Sequence, residues 1–182
     1  MHCSAAGAAH NVLRMRRVAV VGCGGAGKTT LANELGRRLG LPVVHIDSHY
    51  WQLLDGQRIE STAEQWQRRH RELVAHDEWV IDGMKLGVLD ERLARADTVI
   101  FLDPPTISCL SGILRRRLRY RGHDNPSSGI YVSLTWEFVR WVCTFRARQR
   151  PKLLAKLASF DGETIILRQR RDIDQFLMQI VR

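Results

Sequence analysis

A chain of 182 residues, 45% of them apolar, is long enough for one domain with a sizeable core. Its 28 Lys and Arg against 19 Asp and Glu leave a net charge of +9, which favours partners carrying phosphate or other negative charge. The four cysteines, Cys3, Cys23, Cys109 and Cys143, include no Cys-x-x-Cys pair, which argues against a disulfide framework or zinc ribbon and fits a reducing, cytosolic setting. Nothing approaches the roughly 18 consecutive apolar residues of a membrane span.

Residues 1–14 lack the basic start and sustained apolar core of a secretory signal and read as a loose extension. Met15, followed by "RRVAVVG", is a second sensible start, so the domain is taken as 15–182. From there short β-branched runs alternate with helical patterns. "RVAVVG" to Gly22 predicts a buried strand, and Lys28 to Leu39 a helix. "LPVVHID" to Asp47 is the next strand, followed by a helix over Ala63 to Ala75. "EWVIDG" to Gly83 and "DTVIFLD" to Asp103 flank a helix over 86–94. A helix after Pro105 runs to about Tyr120, residues 121–129 read as a loop, and helices follow over 134–146 and 151–158. "ETIILR" to Arg168 is the fifth strand, and a last helix over 172–181 takes Asp172 as its N-cap. Five continuously apolar strands alternating with helices predict a three-layer α/β fold with a five-stranded parallel sheet covered on both faces.

The seam between the first strand and helix carries the chemistry. Gly22 to Thr29, "GCGGAGKT", matches G-x-x-x-x-G-K-[ST] in the strand-loop-helix context that this motif requires. Its glycines, Gly22, Gly24, Gly25 and Gly27, with Ala26 and Thr30, let backbone N–H groups cradle a β-phosphate at the positive end of a helix. Lys28 then bridges the β- and γ-phosphates, and the Thr29 hydroxyl ligates Mg²⁺. ATP and Mg²⁺ are therefore the expected ligands. The Asn-Lys-x-Asp base-reading motif of GTPases is absent. Small kinases of this class instead place acids at the ends of strands beside the loop, and three aspartates stand at such ends. Asp47 in "HIDSHYW" is expected to orient or deprotonate an acceptor hydroxyl, and Asp82 in "WVIDG" to hold Mg²⁺ through water. Asp103 in "FLDPP" reads as structural, because two prolines follow it.

Phosphoryl transfer also needs positive charge over the transferring group. The stretch 112–150 is basic enough to act as a lid, "LRRRLRYRGHDNPSSG" being a basic helix running into a loop, with Arg115 and Arg119 on one helical face as the first candidates. Arg168 after the last strand is expected to border the adenine. His45, Asp47 and His49 are too far apart on a strand to ligate one metal. Cys23 reads as a passive loop residue, and Trp136, Phe138, Trp141 and Phe145 as packing for the helical region rather than a base-stacking platform.

The segments "VAVVGCGGAGKTTLANELGRRLGLPVVHIDSHYW", "WVIDG", "LDERLARADTVIFLD", "LRRRLRYRG" and "RQRPKLLAKL" resemble the small adenylate-kinase-related P-loop proteins often labelled DNA topology modulation proteins. That resemblance implies the nucleoside-monophosphate-kinase fold with Mg-ATP as donor and leaves the acceptor undefined. Where adenylate kinases carry Phe-Pro-Arg after "IDG", and the closer relatives Asn-Tyr, this chain has Met84-Lys85, and Lys85 can replace an acceptor-binding group. The Asp47 to Tyr50 pattern also resembles uridine-kinase-like enzymes, so the expected acceptor is a nucleotide, a nucleoside or another small hydroxyl compound. The label raises a second class, a nucleotide-controlled nucleic-acid binder using the arginine strip. Oligomeric state is not encoded in any motif.

Overall fold

The computed structural model describes residues 15–54, 57–120 and 135–180, so the expected extension over 1–14 and loop over 121–129 lie outside the described residues. Strand β1 (Arg17–Gly22) leads through the glycine-rich loop into α1 (Lys28–Leu39), β2 (Val43–His45) and a short α2 (Ile46–Tyr50). A hairpin of β3 (Trp51–Leu54) and β4 (Gln57–Glu60) precedes α3 (Ala63–Ala75) and β5 (Trp79–Asp82). A 3₁₀ turn over Leu86–Val88 and α4 (Leu89–Leu93) lead to β6 (Thr98–Leu102), then α5 (Thr106–Tyr120), α6 (Trp136–Arg148) and α7 (Arg150–Ala158). β7 (Glu163–Leu167) and α8 (Arg170–Gln179) complete the described chain.

The main sheet has the order β2-β5-β1-β6-β7 and every pairing is parallel. Period-two alternation along the central strands divides the core in two. Ala19, Val21, Trp79, Ile81, Val99 and Phe101 face helices α3 to α7, whereas Val18, Val20, Val80, Ile100 and Leu102 face α1 and α8. The five expected strands thus form one three-layer α/β sheet. Because the helix after β1 packs on one face and the helix after β6 on the other, a crevice opens at the carboxyl ends of these neighbouring strands. The glycine-rich loop occupies it.

Three local differences from the sequence reading have physical causes. β2 ends at His45, and Asp47 lies exposed in the first turn of α2 rather than at a strand end. The Ser48 hydroxyl donates to the His45 carbonyl at 2.6 Å, a local bond that draws the backbone out of the strand. The β3–β4 hairpin was not anticipated, although Asp55-Gly56 between its strands is the dipeptide that most strongly signals one. Asp172 is not the N-cap of α8 but its third residue, and its carboxylate accepts the N–H groups of Arg168 and Gln169 at 2.9 and 3.0 Å.

A polar chain runs through the otherwise apolar face of α3 and α4. The Arg92 side chain has no exposed surface, and neither has His70. Arg92 Nε lies 3.5 Å from His70 Nε2, while His70 Nδ1 lies 3.4 Å from Glu91 Oε2. These contacts fix the imidazole with its proton on Nδ1. Burial, and then the charge of Arg92, pull the His70 pKa down from 6.5 to about 4.

Two stability predictions follow from this packing. Leu35, fully buried between α1 and the sheet, is expected to cost about 2–5 kcal/mol when replaced by alanine, read as a lower urea midpoint at unchanged slope. Between pH 6.5 and pH 4 the unfolded chain binds a proton at His70 that the folded chain excludes, so this contribution is complete above 6.5 and lost as the pH falls to 4. The loss is on the order of 3 kcal/mol. Urea titrations across that interval should show a smaller decline in His70→Asn than in the parent chain.

Candidate active site

The amides at the start of α1 are left open. Gly27 occupies the N-cap, no side chain caps the helix, and its first turn holds no acidic residue. The N–H groups of the first turn and the positive end of the helix dipole therefore converge on the loop, an arrangement that suits an anion. The loop's shape is fixed by its neighbours. Gly25 has a φ of 79°, and a Cβ on it would lie 2.2 Å from the Cys109 carbonyl of α5. From the other side, a Cβ on Gly112 of α5 would lie 2.3 Å from the Gly25 carbonyl. Phe138 of α6 covers Gly24 so closely that a Cβ there would meet its ring at 2.7 Å.

Lys28 Nζ donates to the Cys23 carbonyl at 2.9 Å, which folds the lysine back over the loop. The next residue joins the loop to the sheet. The Thr29 hydroxyl donates to Asp82 Oδ2 at 2.9 Å, and His45 Nδ1 lies 2.5 Å from Asp82 Oδ1. Register explains the second contact, because His45 and Asp82 are direct partners on adjacent parallel strands. Asp82 is buried at the end of β5 between Thr29 and His45. A threonine hydroxyl beside a carboxylate suits Mg²⁺, which is usually held by one or two such groups, several waters and substrate phosphates. Among the described residues no group of three or more His, Cys, Asp or Glu is assembled that could hold a metal ion.

The expected lid arginines fall in different places. Arg115 and Arg119 are exposed on α5, and Arg115 donates to the carbonyl and hydroxyl of Ser111 one turn earlier. Arg146 and Arg150, at the junction of α6 and α7, are instead drawn to the end of β6. Arg150 donates to both oxygens of buried Asp103, its Nη2 at 2.8 Å from Oδ2, and this pairing raises the arginine's pKa. Arg146 Nη1 lies 3.5 Å from Asp103 Oδ1 and donates to the Pro104 carbonyl at 3.3 Å. Asp103 is therefore a structural anchor for the helices that cover the loop. Residues 121–134 of the expected lid lie outside the described residues.

Phe138, Trp141 and Phe145 do pack together, with ring centroids 6.1 and 5.4 Å apart, whereas Trp136 is 75% exposed. Cys23 is buried, and its hydrogen bond with Cys109 pushes its thiol pKa up. That keeps it protonated and unreactive. Thr30 is exposed, Ala26 is half-buried in the loop, and Gly22 is buried where β1 meets β6. Arg168 is exposed just after β7, and Lys85 half-buried before the 3₁₀ turn.

Two residues of this region escaped the sequence reading. In the sequence His45 groups only with Asp47 and His49, but in the fold its partner is Asp82 on the neighbouring strand. Arg92 reads as one more surface charge in "LDERLARAD", yet it is buried with its Nη1 donating to the Gly83 carbonyl at 3.0 Å. Asp47, the expected acceptor-side group, and Asp82 are the carboxylates whose fields reach this guanidinium. No helix among the described residues is long and apolar enough to cross a membrane.

No protein-family model matches the chain. Among curated proteins it resembles the uncharacterized protein YqaC of Bacillus subtilis (strain 168), 24% identical over 133 residues that cover 71% of this chain and 72% of that one. Among solved structures it resembles a shikimate kinase from Acinetobacter baumannii in complex with shikimate, at a TM-score of 0.53, 18% identity and 93% coverage of both chains. A gluconokinase from Sinorhizobium meliloti 1021 superposes at a TM-score of 0.53 with 16% identity, over 91% of this chain and 89% of the other. A shikimate kinase from Bacteroides thetaiotaomicron gives 0.52 and 19%, over 91% and 96%. At these identities the likeness establishes architecture alone: the chain shares with these structures a five-stranded parallel sheet between helices.

Proposed function

We propose that the protein is an ATP-dependent phosphotransferase that moves the γ-phosphoryl group to a hydroxyl of a small acceptor. The observation that carries this reading is the Thr29–Asp82 hydrogen bond, which sets a loop hydroxyl and a strand carboxylate together beside Lys28. In this reading Gly22, Gly24, Gly25, Ala26, Gly27 and Thr30 form the cradle, with their neighbouring amides on the β-phosphate. Lys28 releases the Cys23 carbonyl and turns to the β- and γ-phosphates. Thr29 and Asp82 hold Mg²⁺, which when bound neutralises charge developing on the phosphates.

Asp47, exposed just after the carboxyl end of β2, is the proposed group that orients the acceptor hydroxyl and takes its proton. Arg115 and Arg119 remain proposed lid cations, and Arg168 a proposed border of the adenine site. Arg146, 45% exposed, is a further candidate for charge over the transferring group. The resemblance to adenylate-kinase-related proteins favours a nucleotide or nucleoside as acceptor. The names of the structural neighbours, shikimate kinase and gluconokinase, extend the choice to other hydroxylated metabolites.

The test is ADP release from Mg-ATP against nucleosides, nucleoside monophosphates and hydroxylated metabolites, shikimate included. Acceptor-dependent release is expected, and Lys28→Ala should reduce it by about 10²–10³-fold, as when one charge-stabilising donor is removed. ATP binding without acceptor stimulation would contradict the reading. Salt-sensitive duplex binding that survives Lys28→Ala would move it to the nucleic-acid class. Gly25→Ala, whose Cβ must displace the Cys109 carbonyl, should weaken Mg-ATP binding roughly tenfold or more in calorimetry, about 1.4 kcal/mol.

A further inference from the structure

Arg92 is badly used as a piece of core. Its side chain is fully buried, its Nη1 serves the Gly83 carbonyl, and its Nε makes a long contact to a neutral imidazole. The remaining nitrogen, Nη2, is buried with no hydrogen-bond partner among the described residues. A buried guanidinium loses its hydration, and well-packed apolar groups of similar volume often serve stability as well or better. An unpaired charged donor adds to the cost. Packing alone therefore gives no reason to keep an arginine here.

Its surroundings do give one. The carbonyl that Nη1 holds belongs to the residue directly after Asp82, and the Gly83 N–H donates to the Val20 carbonyl at 3.1 Å. Gly83 has a φ of 136°, and a Cβ on it would lie 2.2 Å from the Ile46 side chain, next to Asp47. Arg92 thus grips the backbone that joins β5 to the start of α2 by packing, and the carboxylates within reach of its charge are Asp82 and Asp47.

We propose that Arg92 is a positioning residue of the transfer site, holding the Gly83–Met84 peptide that directly follows Asp82 and, through its charge, setting Asp82 for the metal and Asp47 for the acceptor. This rests on the kinase reading above. The Asp82 half of it is accessible without knowing the acceptor.

The experiment uses the full chain with Arg92→Met and Arg92→Lys. Binding of a non-hydrolysable ATP analogue is measured by calorimetry in EDTA and in saturating Mg²⁺, beside thermal unfolding of each variant. Arg92→Met should unfold no earlier than the parent, bind the analogue in EDTA as the parent does, and lose roughly 10–100-fold of the Mg²⁺-dependent tightening, as supporting groups of metal sites do. Arg92→Lys, which keeps the charge, should recover part of that tightening. An unchanged Mg²⁺ response in Arg92→Met, or lower stability in both variants with the response intact, would show a purely structural arginine and overturn the proposal. Should Arg92→Met not fold, Arg92→Gln, which removes the charge but keeps a donor, takes its place, and a full Mg²⁺ response in that variant refutes the positioning role. A parent chain with no Mg²⁺ response would overturn the kinase reading and the proposal with it, a failure visible before any variant is compared.

Discussion

The site depends on one constraint, the parallel register of β5 between β1 and β2. That register pairs Asp82 with Val20 on one side and His45 on the other, and so delivers a carboxylate to the root of the glycine-rich loop. A slip of one residue would turn Asp82 to the opposite face of the sheet and break its contacts with both Thr29 and His45. Burying a carboxylate is tolerable only because both its oxygens are engaged. The apolar alternation along β1, β5 and β6 fixes the register, so the core and the chemistry are set by the same residues.

The loop is held from outside as firmly as from within. Gly25 and Gly112 let α5 approach the loop backbone closely, and Phe138 closes on Gly24. The helices doing this are tied to β6 through Asp103, Arg146 and Arg150. Within one basic stretch, Arg146 and Arg150 are thus paired with a buried carboxylate while Arg115 bonds its own helix. Clustered charge in a sequence does not reveal that division.

Much of the architecture was legible because it follows from short-range patterns. β-branched runs of four to six residues, a glycine-rich seam and an amphipathic helix over Lys28–Leu39 each carry their signal in adjacent residues. His45 and Arg92 were illegible for the opposite reason. The importance of His45 comes from a strand partner 37 positions away. Arg92 looks like any helical surface charge until α3 is folded against it. Asp47 lay between these cases: its neighbourhood was readable, but Ser48 ends the strand early and places it on a helix.

The central claim is that these groups together transfer a phosphoryl group rather than merely bind a nucleotide. Phosphorus-31 NMR of the full chain with Mg-ATP and mixed small hydroxyl acceptors tests it most directly. The account predicts that the γ-phosphate signal declines as a new phosphomonoester resonance grows and ADP accumulates. An unchanged spectrum, or release of inorganic phosphate alone, would contradict it.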